Sequence, residues 1–305
     1  MKPAAPCLLL LGEALVDRLP TGPIAAGAPL NAGRHLRRFG CAPLLVSRIG
    51  RDDEAGCQVE AAMRAAELSL VGLQRDPQHA TGVVEVQMLP GGGHRFEIAA
   101  DAAWDHLDAA AALAPLAAVQ AQLLYFGTLA QRSPASRQAI RAVLEACPAP
   151  RFLDLNLREG VGAELALESL RLAHWLKVND EELAQLLSWT GLADVATLVQ
   201  HFSLKRLIVT RGAAGYASFD ASGRLEAEGA GERIGQLVDT VGAGDAFSAC
   251  LLAAHLQGKA WAPALALANR FAAALCGQAG ASPSDPASFY PPWQAALQAL
   301  PEPAP

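Results

Sequence analysis

The sequence predicts an α/β fold in which a mostly parallel central sheet is flanked by helices and accompanied by a small β-sheet lid. Three observations predict it. From Leu123 onward short apolar runs alternate with helical stretches, the pattern of parallel strands joined by crossover helices. Cys7-Leu8-Leu9-Leu10-Leu11, closed by Gly12, is a continuous apolar run, as a strand covered on both faces requires. Residues 81–99 break the pattern. They alternate apolar and polar side chains around Gly91-Gly92-Gly93, which reads as a hairpin with one polar face.

Composition narrows the rest. The 305 residues suffice for one large domain, and an apolar share of 52% against 18% charged excludes a chain that stays disordered. We expect a single domain over residues 1–300, with lid strands from about 14–20 and 81–99, and a disordered tail at 301–305. A net charge of −6 leaves no electrostatic footprint for nucleic acid. The six cysteines are scattered without a C-x-x-C pair, the usage expected of reduced thiols in the cytoplasm. The seven histidines show neither H-x-x-x-H nor H-E-x-x-H, so spacing gives no zinc site. No apolar run reaches membrane-spanning length, so no membrane partner is expected.

The elements follow in order. Residues 14–20 alternate loosely and predict a second strand, with Asp17 near its end. Gly27-Ala28-Pro29-Leu30-Asn31 is a small-residue turn that opens a helix from Ala32 to Phe39, stopped by Gly40. Leu44 to Gly50 is a strand. Leu123–Gly127 is another, followed by a helix from Ser133-Pro134 to Cys147. Arg151 to Arg158 is the next strand with its exit loop, and His174–Asn179 is a strand running into Asp180-Glu181-Glu182-Leu183. Leu207–Thr210 is a buried strand that turns at Arg211-Gly212-Ala213-Ala214-Gly215. Two apolar helices close the chain, one after Gly244 that ends at Gly258 and one from Trp261 to Cys276 containing Asn269.

The most informative stretch is Asp239-Thr240-Val241-Gly242-Ala243-Gly244-Asp245-Ala246-Phe247. Glycines feeding a helix N-terminus aim unpaired N–H groups and a positive partial charge at one place, which suits phosphate. Asp245 puts a carboxylate in that place. It is either a helix cap or a base facing a hydroxyl that attacks a phosphoryl group held by the amides. No Gly-Lys-Ser/Thr follows, so the stretch is not a Walker A loop. A dinucleotide fingerprint is absent between residues 8 and 40, which argues against an oxidoreductase.

The stretch resembles the C-terminal signature of the ribokinase-like, phosphofructokinase-B type sugar kinases, and further motifs follow in that family's order from Gly12 to Pro283. The resemblance implies that Asp245 is the catalytic base and that Gly242, Ala243 and Gly244 form an anion hole. Gly12-Glu13-Ala14-Leu15-Val16-Asp17 is similar to the start of fructokinase-like members and implies that Asp17 binds sugar hydroxyls. Gly27 and Asn31 resemble the first signature, with Ala26 in place of its first glycine, and imply a second sugar contact. Asp154-x-Asn156-x-Arg158 implies an arginine near the moving phosphate. Fructokinase-like members often carry an aromatic residue next, where this chain has Glu159-Gly160-Val161.

On the nucleotide side, Asn179-x-x-Glu182 reads by itself as a capping box. The resemblance implies that it orders Mg2+ around the ATP phosphates, with Glu182 acting through water. Thr210, Gly212 and Gly215 then line phosphates and ribose, and Asn269 lies near adenine. Asp239 and Ser284 would help hold K+ beside the anion hole. The implied activity is ATP-dependent phosphorylation of a sugar, fructose first, with another sugar, a keto-sugar acid or a nucleoside as alternatives. A homodimer through the lid is a further expectation. A non-catalytic binding relative is the reading from another class, against which Asp245 argues, since a binder gains nothing from a base.

Overall fold

The computed structural model describes residues 5–19, 22–88, 94–158 and 160–303. The chain begins β1 (Cys7–Leu11), β2 (Leu15–Leu19), β3 (Gly22–Ala26), α1 (Ala28–Arg38), β4 (Ala42–Gly50) and α2 (Glu54–Ala65). It continues β5 (Leu73–Asp76), β6 (Gly82–Met88), β7 (His94–Ile98), α3 (Ala109–Leu113), β8 (Leu123–Phe126), α4 (Pro134–Ala146) and β9 (Arg151–Asp154). Next come α5 (Ala163–Leu172), β10 (Trp175–Asn179), α6 (Asp180–Thr190), α7 (Val195–His201) and β11 (Arg206–Thr210). The last elements are β12 (Tyr216–Asp220), β13 (Leu225–Gly229), α8 (Ala243–Leu256), α9 (Trp261–Leu275) and α10 (Pro286–Gln298).

Among the described residues the large sheet has nine strands in the order β13-β12-β11-β10-β9-β8-β1-β4-β5. The seven from β11 to β5 run parallel, and β12 and β13 add an antiparallel edge. Strand alternation divides the core. Leu8 and Leu10 join α1, α8 and α9 on one face, while Leu9 and Leu11 join α4, α5 and α6 on the other. Both faces are therefore covered, which is why β1 reads as unbroken leucine.

The second sheet is small and mixed, in the order β3-β2-β6-β7. β2 pairs antiparallel with β3 but parallel with β6, and β6 pairs antiparallel with β7. This is the expected lid, with β3 added. Its strand was hidden by Gly22-Pro23 and two alanines, and Pro23 is tolerated because β3 is an edge. The glycine turn expected at 91–93 lies outside the described residues.

Two helix starts differ from expectation. α1 begins at Ala28, with Gly27 as its N-cap at φ 115° and Pro29 in its first turn. Asn31 is therefore inside the helix and is not a cap. α8 begins at Ala243 with Gly242 as N-cap at φ 76°, so Asp245 lies at its third position. The helix stops fall as expected. Gly40 takes φ 83°, and the N–H groups of Gly40 and Cys41 close onto Arg37 O and Leu36 O. Gly258 at φ 70° does the same for α8. At the C-terminus, Pro301 O accepts from Ala260 N at 2.8 Å, so the expected disorder does not begin at 301. No helix of the described residues is long and apolar enough to cross a membrane.

Candidate active site

The C-terminal ends of β1, β9, β10 and β11 open into one cleft of about 790 Å³ between the large sheet and the lid. Ligands gather at this edge in open α/β sheets because strand ends and helix starts converge there. The cleft brings together Asp17, Gly27, Asn31, Arg158, Asn179, Glu182, Thr210, Gly212, Gly215, Asn269 and the whole turn Gly242–Asp245. Asp239 and Ser284 do not line it.

The turn is held from behind. Asp239 Oδ1 accepts from Val241 N at 3.0 Å and Oδ2 accepts from Gly280 N at 2.9 Å. A Cβ at Gly242 would press on Ala281, and its φ of 76° also favours glycine. Ala243 N is already used, donating to Thr240 O at 3.2 Å. The N–H groups of Gly242, Gly244 and Asp245 meet no acceptor among the described residues. The free donors are thus one residue out of step with the expected Gly-Ala-Gly set.

Asp245 reaches across to α1, where its Oδ2 accepts from Asn31 Nδ2 at 2.9 Å. It does not cap α8, because the cap position is Gly242. Burial pushes its carboxyl up to about 7, with the neighbouring Asp154 charge adding to the rise and Asn31, Lys177 and Arg158 opposing it. A carboxyl titrating near neutrality, aimed into a cleft beside free amides, is suited to take a proton.

The sequence profile of the pfkB family of carbohydrate kinases matches residues 22–288. The chain belongs to that family. This pfkB kinase is 28% identical over 259 residues to a fructokinase from Salmonella typhimurium, spanning 80% of this chain and 82% of the relative. A double mutant of fructokinase from Vibrio cholerae O395, in its fructose-, ADP- and potassium-bound form, shares the fold with a TM-score of 0.79. That match has 22% identity and covers 99% of this chain and 100% of the other. An aminoimidazole riboside kinase from Salmonella enterica, complexed with that riboside and an ATP analogue, shares it with a TM-score of 0.75 at 21% identity over 95% and 99% of the two chains.

The lid side of the pfkB kinase carries two acids. Asp17 on β2 is half-buried and burial pushes it up to about 6, with Arg158 opposing. Glu13 is buried and pushed up to about 6 for the same reason, and its Oε1 accepts from Ala28 N at 3.1 Å. Glu13 thereby fixes the start of α1 and, through it, Asn31. A Cβ at Gly27 would lie 2.5 Å from Glu13 O, so this crossing admits only glycine. Arg158 is exposed, and its hydrogen bond among the described residues goes to the neighbouring carbonyl of Leu157 at 3.5 Å.

On the nucleotide side the capping box is real. Asn179 Oδ1 accepts from Glu182 N at 2.7 Å and Glu182 Oε2 accepts from Asn179 N at 2.8 Å, while Oε1 accepts from Leu157 N at 2.7 Å. Burial raises the pKa of Glu182. Gly212 has φ 51° with open space around it, whereas a Cβ at Gly215 would run into the carbonyl of Gly229. Asn269 Nδ2 donates to Ala230 O at 3.1 Å, and Thr210 Oγ1 to Val178 O at 3.3 Å.

The sequence reading of the kinase missed Lys177. Its Nζ donates to both oxygens of Asp154, at 2.8 and 2.9 Å, and the two residues are direct partners of the parallel β9–β10 pair. Ser248 Oγ and Tyr125 OH also donate to Asp154 Oδ2, at 2.8 and 3.3 Å. Burial works against the Lys177 charge, but Asp154 outweighs it and the pKa is raised. A Cβ at Gly244 would lie 3.2 Å from Nζ, so this cation sits directly beneath the turn. One signal was available: a single lysine inside the apolar strand Trp175–Asn179.

Proposed function

We propose that this pfkB kinase transfers the γ-phosphoryl group of ATP to a hydroxyl of a neutral sugar, with fructose as the first candidate. The observation that carries the reading is the placement of Asp245, largely buried at the wall of the cleft, tied to Asn31 and next to the free amides of α8. Asn31 occupies Oδ2, which leaves Oδ1 to accept the acceptor's proton. As the hydroxyl oxygen bonds to phosphorus, the bond from phosphorus to the bridging oxygen breaks and ADP leaves with that electron pair. The charge on the transferred oxygens meets the N–H groups of Gly242 and Gly244, the α8 dipole and the Lys177 ammonium.

Charge at the sugar end favours a neutral acceptor. Among the described residues Glu13, Asp17 and Asp245 face a single arginine, Arg158, so a keto-sugar acid would meet more repulsion than attraction. The fructokinase relative supports fructose. Asp17 and Asn31 are the proposed hydroxyl partners, with the small-sheet lid excluding water that would compete for the phosphoryl group.

The donors suit magnesium held mainly by ATP. Each Glu182 oxygen already accepts one N–H and retains lone pairs, which fits a metal that keeps its waters and takes few carboxylates. When bound, the ion would neutralise phosphate charge; Glu182 would hold it through water, Thr210, Gly212 and Gly215 would line the phosphates and ribose, and Asn269 would lie near adenine. For potassium, Ser282 is better placed than Ser284, which is exposed. The Ser282 hydroxyl is buried without a partner among the described residues, in the loop that Asp239 clasps at Gly280.

The test is ADP release over a panel of fructose, glucose, ribose, a keto-sugar acid and a nucleoside, with and without potassium. Fructose should give the highest kcat/KM. Turnover of the sugar acid or the nucleoside well above fructose would overturn the acceptor assignment.

A further inference from the structure

His79, Asp101 and His106 come from two separate crossings between the lid and the large sheet. His79 lies between β5 and β6, where the chain enters the β6–β7 hairpin, and Asp101 and His106 lie just after β7, where it leaves. One ligand atom from each lies within 4.8 Å of the others. The cluster stands apart from the residues that line the catalytic cleft.

The surroundings are already arranged as for ligands. His79 Nδ1 lies 3.1 Å from Asp76 Oδ2, and Asp76 Oδ1 accepts from Gln78 N and His79 N at 2.7 and 2.9 Å. Arg48 Nε is 2.8 Å from the same Asp76 Oδ2, at an angle outside a well-directed hydrogen bond, so the pair is ionic. With Nδ1–H donating to Asp76, His79 keeps the Nε2 lone pair free, the carboxylate–histidine arrangement that raises ligand basicity and fixes ring orientation. On the other crossing, His106 Nε2 lies 2.7 Å from Asp101 Oδ1, and a cation would replace the proton between them. Asp105, held by Arg132 at 2.8 and 2.7 Å, anchors that segment.

The two imidazoles are stacked, with centroids 3.6 Å apart and planes 11° from parallel. A metal lies in the plane of each imidazole it binds, so ligation must swing one ring out of the stack. His106 is the ring that swings, because its own partner, Asp101, is a ligand of the same site, whereas Asp76 holds His79 from outside it.

We propose that His79, Asp101 and His106 form a binding site for a divalent transition-metal ion that clasps the root of the lid. Two imidazoles and one carboxylate suit zinc-like ions, and hard magnesium disfavours imidazole. Three protein ligands leave a position for water. Joining the two crossings restrains the lid without touching the cleft.

The test uses cobalt(II) as the probe on the full chain without ATP or sugar, read by its visible absorption and by calorimetry. The wild type should take up one Co2+ per chain, displaced by Zn2+ and not by Mg2+. His79→Ala/His106→Ala should lose that equivalent while melting as the wild type does in chelator, and Asp76→Asn should weaken binding about 10–100-fold. Amide exchange around residues 82–85 and 97–100 should slow on metal addition in the wild type alone. Equal cobalt uptake by wild type and double variant would overturn the site. Uptake with unchanged exchange would overturn the clasp.

Discussion

Behind Asp245, every residue of α8 from Ala246 to Ala254 is buried, whereas among the described residues the lid's own cluster is three buried side chains, Leu15, Ala26 and Val84, with Val16 and Ala25 turned to the main core. The two regions face each other across one cleft on unequal foundations. The turn at Gly242–Asp245 sits on a core shared with α1, α9 and the large sheet, so its free donors and the proposed base hold their geometry. A sheet of four short strands with so small a core of its own is stabilised mainly by its pairing and by what it closes on. In the proposed reading the chemistry rests on the part that resists movement and sugar recognition partly on the part that yields. Asp17 belongs to the second region, and Asn31, on α1, links the two.

Five experiments sharpen or break that division. The largest effect is expected from Asp245→Asn, which keeps the size and the Asn31 neighbour but cannot accept a proton. Its kcat should fall by about 10²–10⁴-fold with sugar and ATP affinity preserved. A variant keeping a tenth of wild-type turnover would remove the base from the rigid side.

Gly244→Val comes next. Its Cβ would already lie 3.2 Å from Lys177 Nζ, and the added methyls would enter the phosphate's space. Turnover should drop by about 10²–10³-fold. ADP affinity, measured by calorimetry, should change far less, because ADP leaves the anion hole empty.

On the lid, Asp17→Ala should raise the sugar KM by about 10–150-fold, the equivalent of losing a hydrogen bond to a charged group worth roughly 1.5–3 kcal/mol. The ATP KM should stay near wild type; equal changes in both would mean the division between the regions is wrong. Val84→Ala, which trims the lid core by about 1–2 kcal/mol, should raise sugar KM only a few-fold and leave kcat unchanged.

The smallest perturbation is pH. Asp245 titrates at about 7 and is a base only when deprotonated, so kcat/KM should be flat above that pH and fall below it. The limiting slope is about tenfold per unit for a single essential base. The pKa of Lys177 is raised by Asp154, so Lys177 stays charged through this window, and a wild-type profile that fell instead toward high pH would point away from Asp245.

Much of this was legible because the signals are local. Alternating or continuous apolar runs gave β1, β8, β9, β10 and β11, and glycine stops gave the ends of α1 and α8. These depend on periodicity and on backbone angles within a few residues. Asp17, Asn31, Asn179, Glu182 and Asp245, which the cleft brings together, were singled out by the family resemblance instead. The starts of α1 and α8 were misplaced by three or four residues, because a glycine cap with no side-chain hydrogen bond leaves little trace in sequence.

What the tertiary structure decided is pairing over distance. Lys177 meets Asp154 only because β9 and β10 lie side by side in one register, and a slip of a single residue would turn Lys177 to the opposite face. Glu13 and Asn31 join the site because β1 ends and α1 begins at the same edge of the sheet. His79 and His106, 27 positions apart with no metal-ligand spacing, meet because the lid returns to where it left. The sequence by itself determined which residues could form strands, turns and a base. Register and the return of the chain, which are set by packing of the whole core, decided which of them touch.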